Sequence, residues 1–192
     1  MQTGKTLSVL NIDSQLFGEG ITIYEDKIYQ ITWRSRKGFI YDLKTFTLES
    51  TFNYNSEGWG ITTAGDHLIM SDGSNKLYHI APSTFNILKE VEVYDHNGPV
   101  DQLNELEYVD GMIWANVWLT DRIVVIDPET GIVRGELNLP GLLPATDKAR
   151  LDDKDDVLNG IAWNAGKGTF YVTGKRWPKL FEMKVKLIPY GR

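Results

Sequence analysis

The sequence predicts an all-β propeller, and three observations carry that prediction. Four segments repeat along the chain, and with Ile21, Ile61, Leu106 and Ile161 set equivalent they are spaced 40, 45 and 55 residues apart. Each repeat is a series of short β-rich runs bounded by turn residues. Helical periodicity is scarce; a single short helical turn is expected near residues 145–151, inside the long insertion before the last unit. Short strands in units of this length are the signature of propeller blades.

Taken in order, the chain opens on an alternating run at 5–13, which reads as an outermost strand. The first unit follows with G-E-G-I-T-I-Y at 18–24, a turn at 25–27, and strands at 28–33 and 38–42. The second repeats this as G-W-G-I-T-T-A at 58–64, a turn at 65–67, and strands at 68–71 and 76–80. The third has N-E-L-E-Y-V-D at 104–110, a turn at 110–112, strands at 113–118 and 122–127, the turn D-P-E-T-G at 127–131 and a fourth strand at 133–137. In that last turn Pro128 presets φ and Gly131 takes the position that needs φ > 0. The fourth unit has N-G-I-A-W-N at 159–164, a turn at 165–168, and only two further strands, at 169–173 and 179–183. An orphan strand at one end and an incomplete blade at the other predict that residues 5–13 pair with the strand around 179–186, removing two exposed edges. The strand count fits a closed ring of four blades and an open arc equally.

Composition bounds the function. With 192 residues, 42% of them hydrophobic, the chain can form one domain with a full core, over residues 1–192. A net charge of −6 and a pI near 5.1 argue against nucleic acid as a partner. The chain has no cysteine, which excludes disulfides, thiol catalysis and zinc–thiolate sites. No apolar run approaches the roughly 20 residues of a membrane span.

In a propeller, residues at equivalent repeat positions converge on one mouth of the central channel. The positions just before the first strand of each unit hold Glu19, Trp59, Asn104 and Asn159. Those just after the second hold Trp33, Asp72, Trp118 and Lys175. Together they predict a small aromatic-walled pocket with a few convergent polar groups. Each residue also has a structural reading: the tryptophans as blade packing, Glu19 as a loop residue bonded to backbone, Asn104 and Asn159 as loop caps, and Lys175 as a solvated charge. The acidic run D-D-K-D-D at 152–156 lacks the glycine and distal glutamate of a calcium loop and reads as a solvated loop. No H-E-x-x-H pair, G-x-S-x-G elbow or phosphate-cradling glycine loop is present.

Nine stretches run in order through nearly the whole chain: F-G-E-G at 17–20, Y-Q-I-T-W at 29–33, G-F-I-Y-D at 38–42, G-W-G at 58–60, S-D-G at 71–73, L-N-E-L-E-Y at 103–108, W-A-N-V-W at 114–118, V-L-N-G-I-A-W at 157–163 and V-T-G-K-R-W-P-K-L-F-E at 172–182. On these the chain resembles the glutaminyl-peptide cyclotransferases of the plant and bacterial type. The resemblance implies a five-bladed propeller enzyme that closes an N-terminal glutamine into pyroglutamate with release of ammonia, without metal or other cofactor. It implies Glu19 as general acid/base, Trp33, Trp59 and Trp118 as pocket walls, and Asn104 and Lys175 as further catalytic groups. Its implied partner is a peptide or protein beginning with glutamine, and its implied compartment is the periplasm, the secretory pathway or the exterior. Members of that family begin with an F-T-Q-G-L segment and most of a first blade. This chain has neither, so a propeller shortened at its N-terminus is expected. A second functional reading follows, that of a propeller that binds without catalysis.

Overall fold

The computed structural model describes residues 5–151 and 154–186. They form four antiparallel meanders arranged as propeller blades, each with its strands in chain order. The first blade contains β1 (Gly18–Tyr24), β2 (Lys27–Thr32), β3 (Lys37–Asp42) and β4 (Leu48–Asn53); the second β5 (Ile61–Ala64), β6 (His67–Ser71), β7 (Lys76–Ile80) and β8 (Ile87–Glu92). A small ribbon, β9 (Tyr94–Asp95) with β10 (Gly98–Pro99), leads to the third blade, formed by β11 (Leu103–Val109), β12 (Met112–Val117), β13 (Arg122–Ile126) and β14 (Val133–Asn138). After the short helix α1 (Ala145–Lys148), the fourth blade has β15 (Leu158–Asn164), β16 (Thr169–Gly174) and β17 (Phe181–Met183). Four units of propeller blade are therefore present, as the repeats predict.

Burial explains the order of the strands. The middle strands of the third blade, β12 and β13, are buried on both faces, because a neighbouring blade covers each side. The outer strands alternate or lie open and carry charge: Lys89, Glu90 and Glu92 on β8, Arg134 and Glu136 on β14. Charged edges of this kind discourage edge-to-edge pairing with other chains.

The apolar core is divided among the junctions between blades. Tyr29, Ile31, Ile61, Leu68 and Phe85 join the first to the second. Ile69, Leu77, Leu106, Ile113 and Val124 join the second to the third. Trp114, Ile123, Leu158, Phe170 and Val172 join the third to the fourth. Fully burying an aliphatic or aromatic side chain of this size contributes about 1.5–3 kcal/mol. Along the axis β1 packs on β5, β5 on β11 and β11 on β15, whereas β1 and β15 make no comparable contact among the described residues.

Two differences from expectation follow. Residues 5–13 form no strand and do not pair with β17, whose ladder partner is β16. The alternation there is real, yet Leu7 is 89% exposed and Val9 71%; a lone run gains little as a strand without a partner. The expected closure through that strand is thus corrected. Secondly, β1, β11 and β15 begin three residues earlier than Ile21, Leu106 and Ile161, because each ladder continues across a bulge, between Gly18 and Ile21, Leu103 and Leu106, and Leu158 and Ile161.

Candidate active site

Those bulges build the site. Each places two residues of the inner strand outside the regular ladder and re-aims their side chains. They are Glu19 and Gly20 in the first blade, Asn104 and Glu105 in the third, and Asn159 and Gly160 in the fourth. The second blade reaches the same arrangement through Ser71. Trp59 N–H donates to Ser71 O (3.0 Å), Gly60 N–H to Ser71 Oγ (2.9 Å), and Ser71 Oγ–H to Asn104 O (2.7 Å). Gly60 is needed there, since a Cβ would lie 2.1 Å from Asn104 O.

In the first, third and fourth blades the residue after the second strand is tied back by a shared backbone contact. Trp33 N–H donates to Phe17 O (3.0 Å), Trp118 N–H to Gln102 O (2.8 Å) and Lys175 N–H to Val157 O (3.0 Å). The repeat alignment therefore holds in space. Glu19, Trp33, Trp59, Asn104, Trp118 and Lys175 all line one cavity of about 590 Å³, with Phe17, Asp155, Asp156 and Arg176 at its margin. This lies within the usual range for small-molecule sites.

Glu19 has a side chain only 13% exposed, with Lys175 Nζ 4.0 Å from its Oε1. Burial pushes its carboxyl above the ordinary value, although Lys175 pulls the other way. Trp59 and Trp118 meet edge to face at 5.3 Å, Phe17 and Trp33 at 6.1 Å, and Lys175 Nζ lies 5.9 Å from the centroid of the Trp118 ring. Behind Trp59 runs the turn at Gly73, where φ is +85° and a Cβ would sit 2.5 Å from the indole. Four buried polar atoms here have no hydrogen-bond partner among the described residues: Trp118 Nε1, Asn104 Oδ1, Asp156 Oδ2 and Asn159 Oδ1.

Two positions depart from the expected convergence. Asp72 turns away into its own loop, accepting from Ser74 N–H (3.0 Å) and Tyr78 O–H (2.8 Å). Asn159 is buried beside the cavity and does not line it. The acidic run read as a solvated loop instead brings Asp155 and Asp156 to the cavity margin; residues 152–153 lie outside the described residues. Asp156 Oδ1 accepts from Arg176 Nε–H (2.7 Å), and Trp177 Nε1–H donates to its backbone oxygen (2.9 Å).

Two acids escaped the sequence reading. Glu57 Oε2 accepts from both Trp33 Nε1 (2.7 Å) and Trp59 Nε1 (2.9 Å). Glu105 occupies the second bulge position, where the other blades have Gly20, Gly60 and Gly160. Burial, and secondarily the charge of Glu19, pushes its carboxyl up to about 7. An acid at the one repeat position otherwise held by glycine was the available signal for Glu105. Glu57 stands at the repeat position of Phe17, Gln102 and Val157, where no other unit carries an acid. No group of three or more histidine, aspartate or glutamate side chains among the described residues is placed to hold a metal ion, and no helix is long and apolar enough to cross a membrane.

Fold and site together define a propeller whose axial mouth presents an acid, an amide and a lysine between indole walls. The family model for glutamine cyclotransferase matches residues 1–185. A glutaminyl-peptide cyclotransferase of Arabidopsis thaliana is 38% identical over 191 residues, which are 97% of this chain and 58% of that protein's length. The crystal structure of Myxococcus xanthus glutaminyl cyclase superposes with a TM-score of 0.82 at 35% identity, covering 87% of this chain and 72% of that one. The computationally designed Ika4 protein, with a TM-score of 0.52 at 11% identity over 96% of this chain and 100% of its own, shares the fold alone. The chain belongs to the glutamine cyclotransferase family.

Proposed function

We propose that the cavity is the active site of a glutaminyl-peptide cyclotransferase acting on peptides or proteins that begin with glutamine. The observation that carries this reading is the largely buried Glu19 carboxyl, raised above its ordinary value and facing Lys175 inside an indole-walled cavity. The names of the relatives from Arabidopsis thaliana and Myxococcus xanthus agree with it.

In the reaction the α-amine of the substrate attacks its own γ-carboxamide carbon. A C–N bond forms, the carbonyl oxygen takes up negative charge, the bond to the departing nitrogen breaks, and ammonia leaves. Glu19 accepts the proton that the attacking amine sheds and returns one to the leaving nitrogen. A carboxyl raised toward working pH suits that exchange. Lys175 and the unpartnered Trp118 N–H supply donors for the developing oxyanion. The carboxamide of Asn104 holds the reacting end of the substrate, and the indoles keep the side chain folded over the amine, which supplies proximity.

The test is ammonia release from a short glutaminyl peptide by the purified chain, with pyroglutamyl product identified by mass. Product formation that depends on Glu19 supports the reading. Binding of the peptide without ammonia release replaces it with a non-catalytic binding module.

A further inference from the structure

One carboxylate oxygen stands between two walls of the cavity. Trp33 follows the second strand of the first blade and Trp59 precedes the inner strand of the second, yet both indole N–H groups converge on Glu57 Oε2, at 2.7 and 2.9 Å. The other oxygen lies 3.4 Å from Arg34 Nε, and the Arg34 guanidinium stacks 3.8 Å from the centroid of the Trp33 ring. The loop carrying Glu57 is itself fastened to Trp33, because Gly58 N–H donates to Trp33 O (2.9 Å).

From this geometry we infer that Glu57 is a positioning residue that sets the angle of both tryptophan walls and thereby governs how tightly the substrate side chain is held. The inference rests on the proposed function for its substrate. Hydrogen bonds to an ionised acceptor are roughly twice as strong as neutral ones. The bond from Trp59, then that from Trp33 and the charge of Arg34, hold the Glu57 carboxyl below its ordinary value, so it is an anion at neutral pH. With each N–H engaged, an indole cannot turn about its side-chain bonds without breaking its contact. Trp33 and Trp59 therefore line the cavity with their N–H groups committed to Glu57. Glu57 sits behind the rings and does not line the cavity, so its action on substrate passes through them.

The experiment combines kinetics with the indole N–H resonances of nitrogen-15-labelled protein. Glu57→Ala is expected to raise KM for a glutaminyl peptide about tenfold while kcat stays within about threefold, since a loosened wall weakens binding of ground and transition states alike. It is also expected to move two indole resonances. Glu57→Gln retains an acceptor oxygen and should restore most of the KM. In a Trp33→Phe/Trp59→Phe background, which lacks both donors, Glu57→Ala should have no further effect. A KM within twofold of the parent for Glu57→Ala, or unmoved indole resonances, overturns the inference. If the parent releases no ammonia, the cyclotransferase reading fails; Glu57 is then decided by the resonances and by the Kd for the same peptide, which should rise about tenfold in Glu57→Ala.

Discussion

The two sides of the cavity treat their polar atoms in opposite ways. On the side of the first and second blades, the indole N–H groups of Trp33 and Trp59 are both engaged by Glu57. On the side of the third and fourth, Trp118 Nε1 and the amide oxygens of Asn104 and Asn159 are buried without a partner among the described residues. A buried polar atom left unsatisfied costs roughly 1–3 kcal/mol. Nearly all such atoms in folded proteins are paired, and these exceptions fall on one side of the cavity. Under the proposed function, the satisfied side supplies shape and the unsatisfied side the reacting groups.

Four changes break or sharpen that contrast. The largest effect is expected from Glu19→Gln, which keeps shape and loses the proton acceptor. Its kcat should fall at least about a hundredfold with KM little changed, measured by ammonia release. The parent should lose activity on the acid side at a pH above the ordinary glutamate range, because burial raises Glu19 and only its ionised form accepts a proton.

Next comes Glu105→Gln, read as stability. Between the ordinary 4.5 and about 7, the folded chain holds a proton on Glu105 that the unfolded chain has released. Stability therefore declines as pH rises through that window. Removing the carboxyl should stabilise the protein at pH 8 by on the order of 2 kcal/mol, allowing for partial exposure, and far less at pH 4. Melting curves at the two pH values check this; an equal Tm difference at both would show that charge is not the cause.

Trp118→Phe and Trp33→Phe each remove an indole N–H while keeping an aromatic ring, and they set the two sides directly against each other. On the unsatisfied side, Trp118→Phe should lower kcat about tenfold, in line with the loss of one donor to a developing charge, and should leave stability unchanged or slightly improved. On the satisfied side, Trp33→Phe should leave kcat nearly intact and raise KM only a few-fold, because Trp59 still holds Glu57. Equal losses of kcat in the two variants would erase the distinction between the sides.

Much of this site was legible because repeat alignment is a statement about space. Glu19, Trp59 and Asn104 share one repeat position, Trp33, Trp118 and Lys175 another, and the structure gathers all six at one cavity. Legibility ended where the contacts stop repeating. The inner strands begin three residues early because bulge residues leave the alternating pattern by which strands are recognised. Asp72 occupies a repeat position and still turns away, since Ser74 and Tyr78 offer it nearer partners. Glu57 acts from a connection between blades, and its importance lies in two donors that are 26 residues apart, at positions 33 and 59. The run at 5–13 has the pattern of a strand and forms none; pairing is a property of two segments, and one segment cannot announce it.

The packing of β1 on β5, β5 on β11 and β11 on β15 is not matched between β1 and β15, so among the described residues the first and fourth blades are joined less extensively than the others. In a repeat array, opening starts at the least supported units. The two groups that face each other at the proposed reacting centre, Glu19 and Lys175, come from those two blades. On heating, their alignment is the first thing to fray. Catalysis should fade while amide protons on β6 and β12, in the two interior blades, are still protected from exchange.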